Sequence, residues 1–277
     1  MTYCTKRKST KKLASFHYKK LKERYPNYEF VDYLPSIDSV YIDNKRTSVV
    51  DYCYMFKELG EHEVVIRFKD KLTSCQNMFE LCSQIKSVDL SNFDSSAVKD
   101  MSSMFSYCSN LQSIKGFRDF NATNVEDINR MLQCCYSLKE IDLSAFAGSN
   151  IKNYSYLFDE CHQLKKVVGS ENIRINPDST FNDIFTFCKS LTHIDLSAAK
   201  LKTTPTFLSV FNYTSNLVYI KGDVSEMRNV RFGNKPQNKM GKVGIFVGVK
   251  NKKSGLNFRE VVPKRWKVVV AKRESLE

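Results

Sequence analysis

Apolar side chains recur along this chain at a fixed long period. Phe79, Phe105, Leu132, Phe158, Phe185 and Phe211 stand 26 or 27 residues apart. Three residues after the first five comes a cysteine, at Cys82, Cys108, Cys135, Cys161 and Cys188, and Thr214 takes that place in the sixth unit. Met78, Met104, Met131, Leu157, Ile184 and Val210 precede the large residue, while Ile85, Leu111, Leu138, Leu164, Leu191 and Leu217 follow the cysteine position by three. Val88, Ile114, Ile141, Val167, Ile194 and Ile220 stand three further on. Six units therefore share one template from about residue 72 to 222, after a degenerate unit at Val49, Tyr52, Met55, Phe56 and Leu59 followed by 64–68. Self-similarity at such a period marks a repeat architecture.

Inside a unit the apolar spacing changes. Val98, Met101, Met104, Phe105, Cys108 and Leu111 fall on one helical stripe, with Asp94 to Ser96 placed to cap it. The chain then alternates, with Ile141 and Leu143 inward and Glu140, Asp142 and Ser144 outward, as in a strand. One short helix and one short strand per unit is the leucine-rich-repeat plan. The spacing predicts an α/β solenoid: a right-handed superhelix with parallel strands at 87–91, 113–117, 140–144, 166–170, 193–197 and 219–223. Units ending Val88-Asp-Leu90, Ile141-Asp-Leu143 and Ile194-Asp-Leu196 alternate with Ile114-Lys-Gly116, Val167-Val-Gly169 and Ile220-Lys-Gly222, so a pair of repeats spans 53 residues. One outward column reads Asp89, Lys115, Asp142, Val168, Asp195, Lys221, which sets opposite charges beside each other on neighbouring strands.

The stretch from Val88 to Cys108, VDLSNFDSSAVKDMSSMFSYC, resembles the BspA-like leucine-rich repeats, a bacterial surface-protein repeat, and the resemblance covers roughly residues 72–222. It implies the leucine-rich-repeat fold and a binding role toward host or matrix proteins. It carries no catalytic residues.

The flanks read as caps. Residues 1–48 are a basic N-terminal cap, with Leu13, Phe16, Leu21 and Tyr25 on one side of a helix over 9–25 and an extended segment from Tyr33 to Ile42. Residues 49–222 form the repeat region of about seven units, and 223–277 form a basic, β-rich C-terminal cap with strand-like runs at 243–249 and 266–271. The net charge of +13 belongs to these ends: 1–30 carries +7, 223–277 carries +9 and 31–222 carries −3. Trp266 packs on the C-terminal cap in this reading.

Several groups test the chain for chemistry. The column cysteines are one per repeat on the apolar stripe rather than paired at metal-ligand spacing, so they read as buried, reduced core residues. Cys134 falls off that column and reads as a surface thiol. His17, His62, His162 and His193 lie far apart, Glu61-His-Glu63 lacks a second zinc-binding histidine, and Gly241, Gly244 and Gly248 fit no phosphate-binding fingerprint. These features predict no enzyme and no cofactor.

A protein-binding repeat module is the leading expectation, with a protein partner on the strand face. Candidate residues there are Asp89, Lys115, Phe117, Glu140, Asp142, Lys166, His193, Asp195, Tyr219 and Lys221. The alternative is binding of nucleic acid, an acidic membrane surface or another polyanion through Lys6, Arg7, Lys8, Lys11 and Lys12 at one end and Lys264, Arg265, Lys267, Lys272 and Arg273 at the other. No apolar run reaches 18 residues, so no transmembrane segment is predicted. The N-terminus offers no secretory leader. Together with reduced cysteines this suits the cytoplasm or another reducing compartment, and the cell surface if a leader is removed.

Overall fold

A computed structural model describes residues 2–5, 10–12, 33–48, 53–56, 58–174, 178–196, 210–211, 213–214, 219–222, 245–249 and 267–271. The period-three apolar stripe closes turns instead of a helix. In the first repeat Met78 N–H donates to the Cys75 carbonyl (3.2 Å), Cys82 to Phe79 (3.1 Å) and Ile85 to Cys82 (3.0 Å). The donors between them leave the repeat: Asn77 N–H reaches Ser102 O (2.9 Å), Phe79 reaches Met104 (2.8 Å) and Leu81 reaches Ser106 (2.8 Å). The same alternation links Phe105 to Met131, Leu132 to Leu157 and Phe158 to Ile184. An α-helix would send each of these N–H groups four residues back along its own turn. Here one half of the backbone donors closes local turns and the other half joins neighbouring repeats.

Left-handed residues enforce this path. Leu81, Tyr107, Cys134, Glu160, Phe187 and Tyr213, each just before the cysteine position, have φ between +57° and +63°. Asn77, Ser103, Arg130, Tyr156 and Asp183, four residues earlier, have φ from +52° to +59°. A right-handed helix cannot run through such residues. Asp94, expected to cap a helix, instead closes a local turn, its Oδ1 accepting from Ser96 N (3.0 Å). Asp100 and Asp127 do the same for Ser102 and Asn129 (2.7 Å each), at bridges that run from Ser74 through Asp100, Asp127 and Asn153 to Thr180.

The predicted leucine-rich-repeat superhelix is therefore not what forms. The described residues hold no α-helix, only 3-10 turns at Leu34–Ser36, Ser144–Phe146 and Ser170–Asn172. Their strands are short and divided among separate sheets. The largest sheet contains β1 (Thr2–Thr5), β3 (Ile37–Ile42), β4 (Lys45–Thr47), β6 (Gly60–Phe68), β7 (Ile85–Asp89) and β8 (Ser113–Lys115), in the order β4-β3-β6-β1-β7-β8. All of its pairings are antiparallel except β7 with β8. β9 (Glu140–Asp142) pairs in parallel with β10 (Lys166–Val168) in a second sheet. Ile114 and Ile141, expected on neighbouring strands of one parallel sheet, thus belong to different sheets. β11 (His193–Leu196), β12 (Tyr219–Gly222), β13 (Ile245–Val249) and β14 (Lys267–Ala271) form a third, parallel sheet. Within the repeats the parallel strands pair as β7 with β8, β9 with β10 and β11 with β12, which is the 53-residue period of the sequence.

At the N-terminal side, β2 (Thr10–Lys12) pairs antiparallel with β5 (Cys53–Met55), so the predicted helix over 9–25 is a strand where it is described; 13–25 lie outside the described residues, as does Trp266. Asp43 and Asn44 take φ of +49° and +64° and close a two-residue hairpin between β3 and β4. The Asp43 carboxylate holds that hairpin to β6, accepting from Glu63 N (3.0 Å) and lying 2.8 Å from His62 Nδ1. His62 is buried there as a structural residue.

The core is built by columns. Phe79 stacks on Phe105, Phe158 on Phe185 and Phe185 on Phe211, each at 5.5 Å between ring centres. Val98, Met101, Met104, Phe105, Cys108 and Leu111, the stripe read as one helix face, are all buried.

Candidate functional site

Two faces of the repeats carry the polar and aromatic chemistry. On the strand face, charges on paired strands neutralise each other. Lys115 Nζ lies 2.9 Å from Asp89 and Lys166 Nζ lies 3.3 Å from Glu140, while Lys86 of β7 pairs with Glu61 of β6 across the intervening β1. Hydrogen bonds from Ser91, reinforced by Lys115, hold the Asp89 carboxyl well below the usual carboxylate range. Burial raises Asp142, but donation from Ser144 outweighs it and the group is lowered, with its Oδ1 2.8 Å from Ser144 N. His193 is exposed, with Nδ1 2.9 Å from Thr192 Oγ1, and Asp195 is half-buried. In the β11–β12 register His193 pairs with Tyr219 and Asp195 with Lys221.

Phe117 corrects the predicted strand face. It is 1% exposed and packs between Phe120 (5.6 Å) and Phe146 (5.5 Å). The strand ends at Lys115, and Gly116 at φ +77° reverses the alternation that placed Phe117 outward. Of the basic ends, Lys11, Lys12 and Lys267 lie on β2 and β14, while Lys6, Arg7, Lys8, Lys264, Arg265, Lys272 and Arg273 lie outside the described residues.

The turn face was not singled out by the sequence reading. Tyr107, Tyr136 and Tyr213 are 43%, 36% and 52% exposed, and with Leu59 they are the exposed large hydrophobic residues among those described. All three tyrosines flank the cysteine column. Phe187 stacks on Tyr213 at 4.4 Å, Tyr136 stacks on His162 at 5.0 Å, and Arg130 lies over Tyr156 at 4.9 Å. Tyr107, Phe187 and Tyr213 hold left-handed backbone, where a bulky side chain costs about 1–2 kcal/mol that glycine would avoid. The signal available in the sequence was the aromatic content of the two positions beside each cysteine.

Cys134 sits within this face, but it is not the surface thiol expected: it is 4% exposed, beside Tyr107 and Tyr136. Its interaction with Cys134, together with burial, pushes the Tyr136 hydroxyl up to about 12. Asp159, beside it, is raised by burial and by repulsion from Glu160 and Asp183. His162 Nε2 lies 2.8 Å from Glu160 Oε2.

The column thiols point the other way, into the core. Cys108, Cys135, Cys161 and Cys188 are buried, and each Sγ–H donates to a carbonyl of the preceding repeat, at Phe79, Phe105, Leu132 and Phe158, over 3.0–3.2 Å. Burial pushes all four thiols well above their ordinary range, so they are poor nucleophiles. Replacing Cys135 with Ser should cost roughly 1–3 kcal/mol, because the shorter, more polar group must satisfy its hydroxyl at a site shaped for sulfur. Urea unfolding measures this, and an unchanged midpoint would contradict it.

A cavity of about 770 Å³ opens between β6 and the first repeats. Its floor includes Phe79, Val88 and Phe93, and its rim includes Lys71 and Asp94, paired at 2.9 Å. These residues pack and pair without presenting a reactive group. The described residues hold no group of three or more His, Cys, Asp or Glu arranged to bind a metal.

No curated protein and no solved structure matches the chain. Residues 73–199, which include most of the repeats, match the family described as "Mycoplasma protein of unknown function, DUF285".

Proposed function

We propose that the protein is a non-catalytic protein-interaction module whose docking surface is the turn face. The observation that carries this reading is the concentration of exposed aromatic side chains there, at Tyr107, Tyr136 and Tyr213. Exposed apolar surface gathered in one place marks interaction sites, and tyrosine is enriched in their energetic centres. The strand face is less suited, because its lysines and carboxylates already satisfy one another.

Cross-linking in the native cell, compared between two variants, tests this. A variant with Tyr107→Ser, Tyr136→Ser and Tyr213→Ser should lose its cross-linked partner. A variant with Asp89→Ser, Lys115→Ser and Glu140→Ser should keep it. Loss in the strand-face variant with retention in the turn-face variant would overturn the assignment, as would retention in both.

A further inference from the structure

The N-terminal sheet, away from the turn face, encloses a titratable contact of its own. We infer that His62 is a pH-operated latch, closed on the Glu58–Leu59 bend when its ring is doubly protonated and open when the Nε2 proton leaves. His62 is 8% exposed, and both of its ring nitrogens face acceptors. Nδ1 lies 2.8 Å from Asp43 Oδ2, and Nε2 lies 3.1 Å from the Glu58 carbonyl oxygen. Burial raises the Asp43 carboxyl, but the bonds from His62 and from Glu63 N–H outweigh it and the group is lowered. Asp43 is therefore an anion that only accepts, and a backbone carbonyl never donates. The two contacts form together only when the ring carries a proton on each nitrogen. The Phe56 ring, with its centre 4.5 Å from that of His62, suits this cation.

The neighbouring charges decide which proton leaves. Glu61 and Glu63, on either side of His62 in β6, are exposed on the opposite face of the strand, and Glu61 pairs with Lys86. Lys45 of β4 acts on Asp43, Glu58 is exposed on the bend, and β1 sets Tyr3 opposite His62 in register. Asp43 is the carboxylate paired with the ring, so Nδ1 keeps its proton and Nε2 gives its own to water at the exposed bend. The bare Nε2 lone pair then faces the Glu58 carbonyl oxygen, and the contact turns repulsive. The bend has room to respond. Leu59 is 56% exposed, and Gly60 takes φ of +128°, a region that glycine enters readily, with nothing within 4 Å of its Cβ position. Opening thus moves an exposed apolar side chain across the range in which histidines titrate, about pH 5 to 8.

The test is NMR on the full-length protein, isotope-labelled in its histidine rings and leucine amides and titrated from about pH 5 to 8. His62→Gln assigns the ring by the signals it removes. At the acid end both His62 nitrogens should carry protons. At the alkaline end Nδ1 should keep its proton and Nε2 lose it, the reverse of the tautomer that free histidine favours, and the Leu59 amide signal should shift in step. Asp43→Asn should reverse this outcome. The new amide carbonyl replaces Oδ1 as acceptor for Glu63 N (3.0 Å), which turns the amide N–H toward Nδ1. Nε2 then keeps the remaining proton, and the Leu59 signal should stay in place through the same titration. An alkaline ring protonated on Nε2 in the unaltered protein overturns the inference. So does a Leu59 signal that does not follow the His62 ring, or an undiminished Leu59 response in Asp43→Asn. Should that variant fail to fold, the titration of the unaltered protein decides alone.

Discussion

Replacing Phe158 with Ala should destabilise the protein by about 3–5 kcal/mol, the range for truncating a fully buried phenylalanine. Its ring is wholly buried and stacks on Phe185 at 5.5 Å, in a column that continues to Phe211. Leu132 fills the equivalent place in the repeat before, so neighbouring layers cannot close the void without moving the turns that hold them. The backbone at Phe158 is fixed on both sides, its N–H donating to Ile184 and its carbonyl accepting from Cys161 N and from the Cys188 thiol. Urea denaturation of the variant measures the loss. A change below about 1 kcal/mol would show that this layer is not packed as described.

That column was legible from periodicity alone. A repeat of 26 or 27 residues required equivalent positions to share an environment, and Phe105, Cys108 and Leu111 are buried as their spacing required. What periodicity could not separate was a helix from a succession of turns. Residues three apart share a side in both, and Met104 bonds back to Met101 and Cys108 to Phe105 as i→i+3 turns. The deciding residues are Ser103 and Tyr107, in left-handed conformations that neither serine nor tyrosine favours, so composition gave no warning. Phe117 was misplaced for a related reason, since period-two counting was carried across Gly116, where the strand had ended. The antiparallel N-terminal sheet lay hidden behind Asp43-Asn44, a two-residue turn without glycine. The aromatic turn face was readable in principle, as Tyr107, Tyr136, Phe187 and Tyr213 beside the cysteine column, but its exposure depends on the turns.

Gly116→Ala should be the second severe lesion, at about 2–5 kcal/mol. Two costs combine there. The φ of +77° penalises any L side chain by about 1–2 kcal/mol, and a Cβ at this position would stand 2.4 Å from Ser91 N and 2.6 Å from Ser91 Cα. Backbone cannot yield as a flexible side chain can, so the clash adds roughly the 1–3 kcal/mol typical of overpacking. The contact lies where the second strand of a pair closes on the first: Leu90 N–H donates to Lys115 O at 2.9 Å. Gly169 repeats the arrangement 53 residues later, with a Cβ placed 2.6 Å from Ser144 N. Gly148 is the control, because its φ is +93° but nothing stands within 4 Å of its Cβ position. Gly148→Ala should therefore cost only the conformational part. Equal losses at Gly116 and Gly148 would show that the two backbones do not meet as described.

Display of the aromatic face depends on one structural claim: alternate backbone donors run between repeats while the others close turns. Scalar couplings across hydrogen bonds in deuterated, isotope-labelled protein read this directly by NMR. The Phe105 amide nitrogen should couple to the Met131 carbonyl carbon, Leu132 to Leu157 and Phe158 to Ile184, while Cys108 couples to Phe105. Coupling of Phe105 to Met101 and of Phe158 to Tyr154, four residues back within the same repeat, would instead show the helix that the apolar stripe first predicts and would contradict this account.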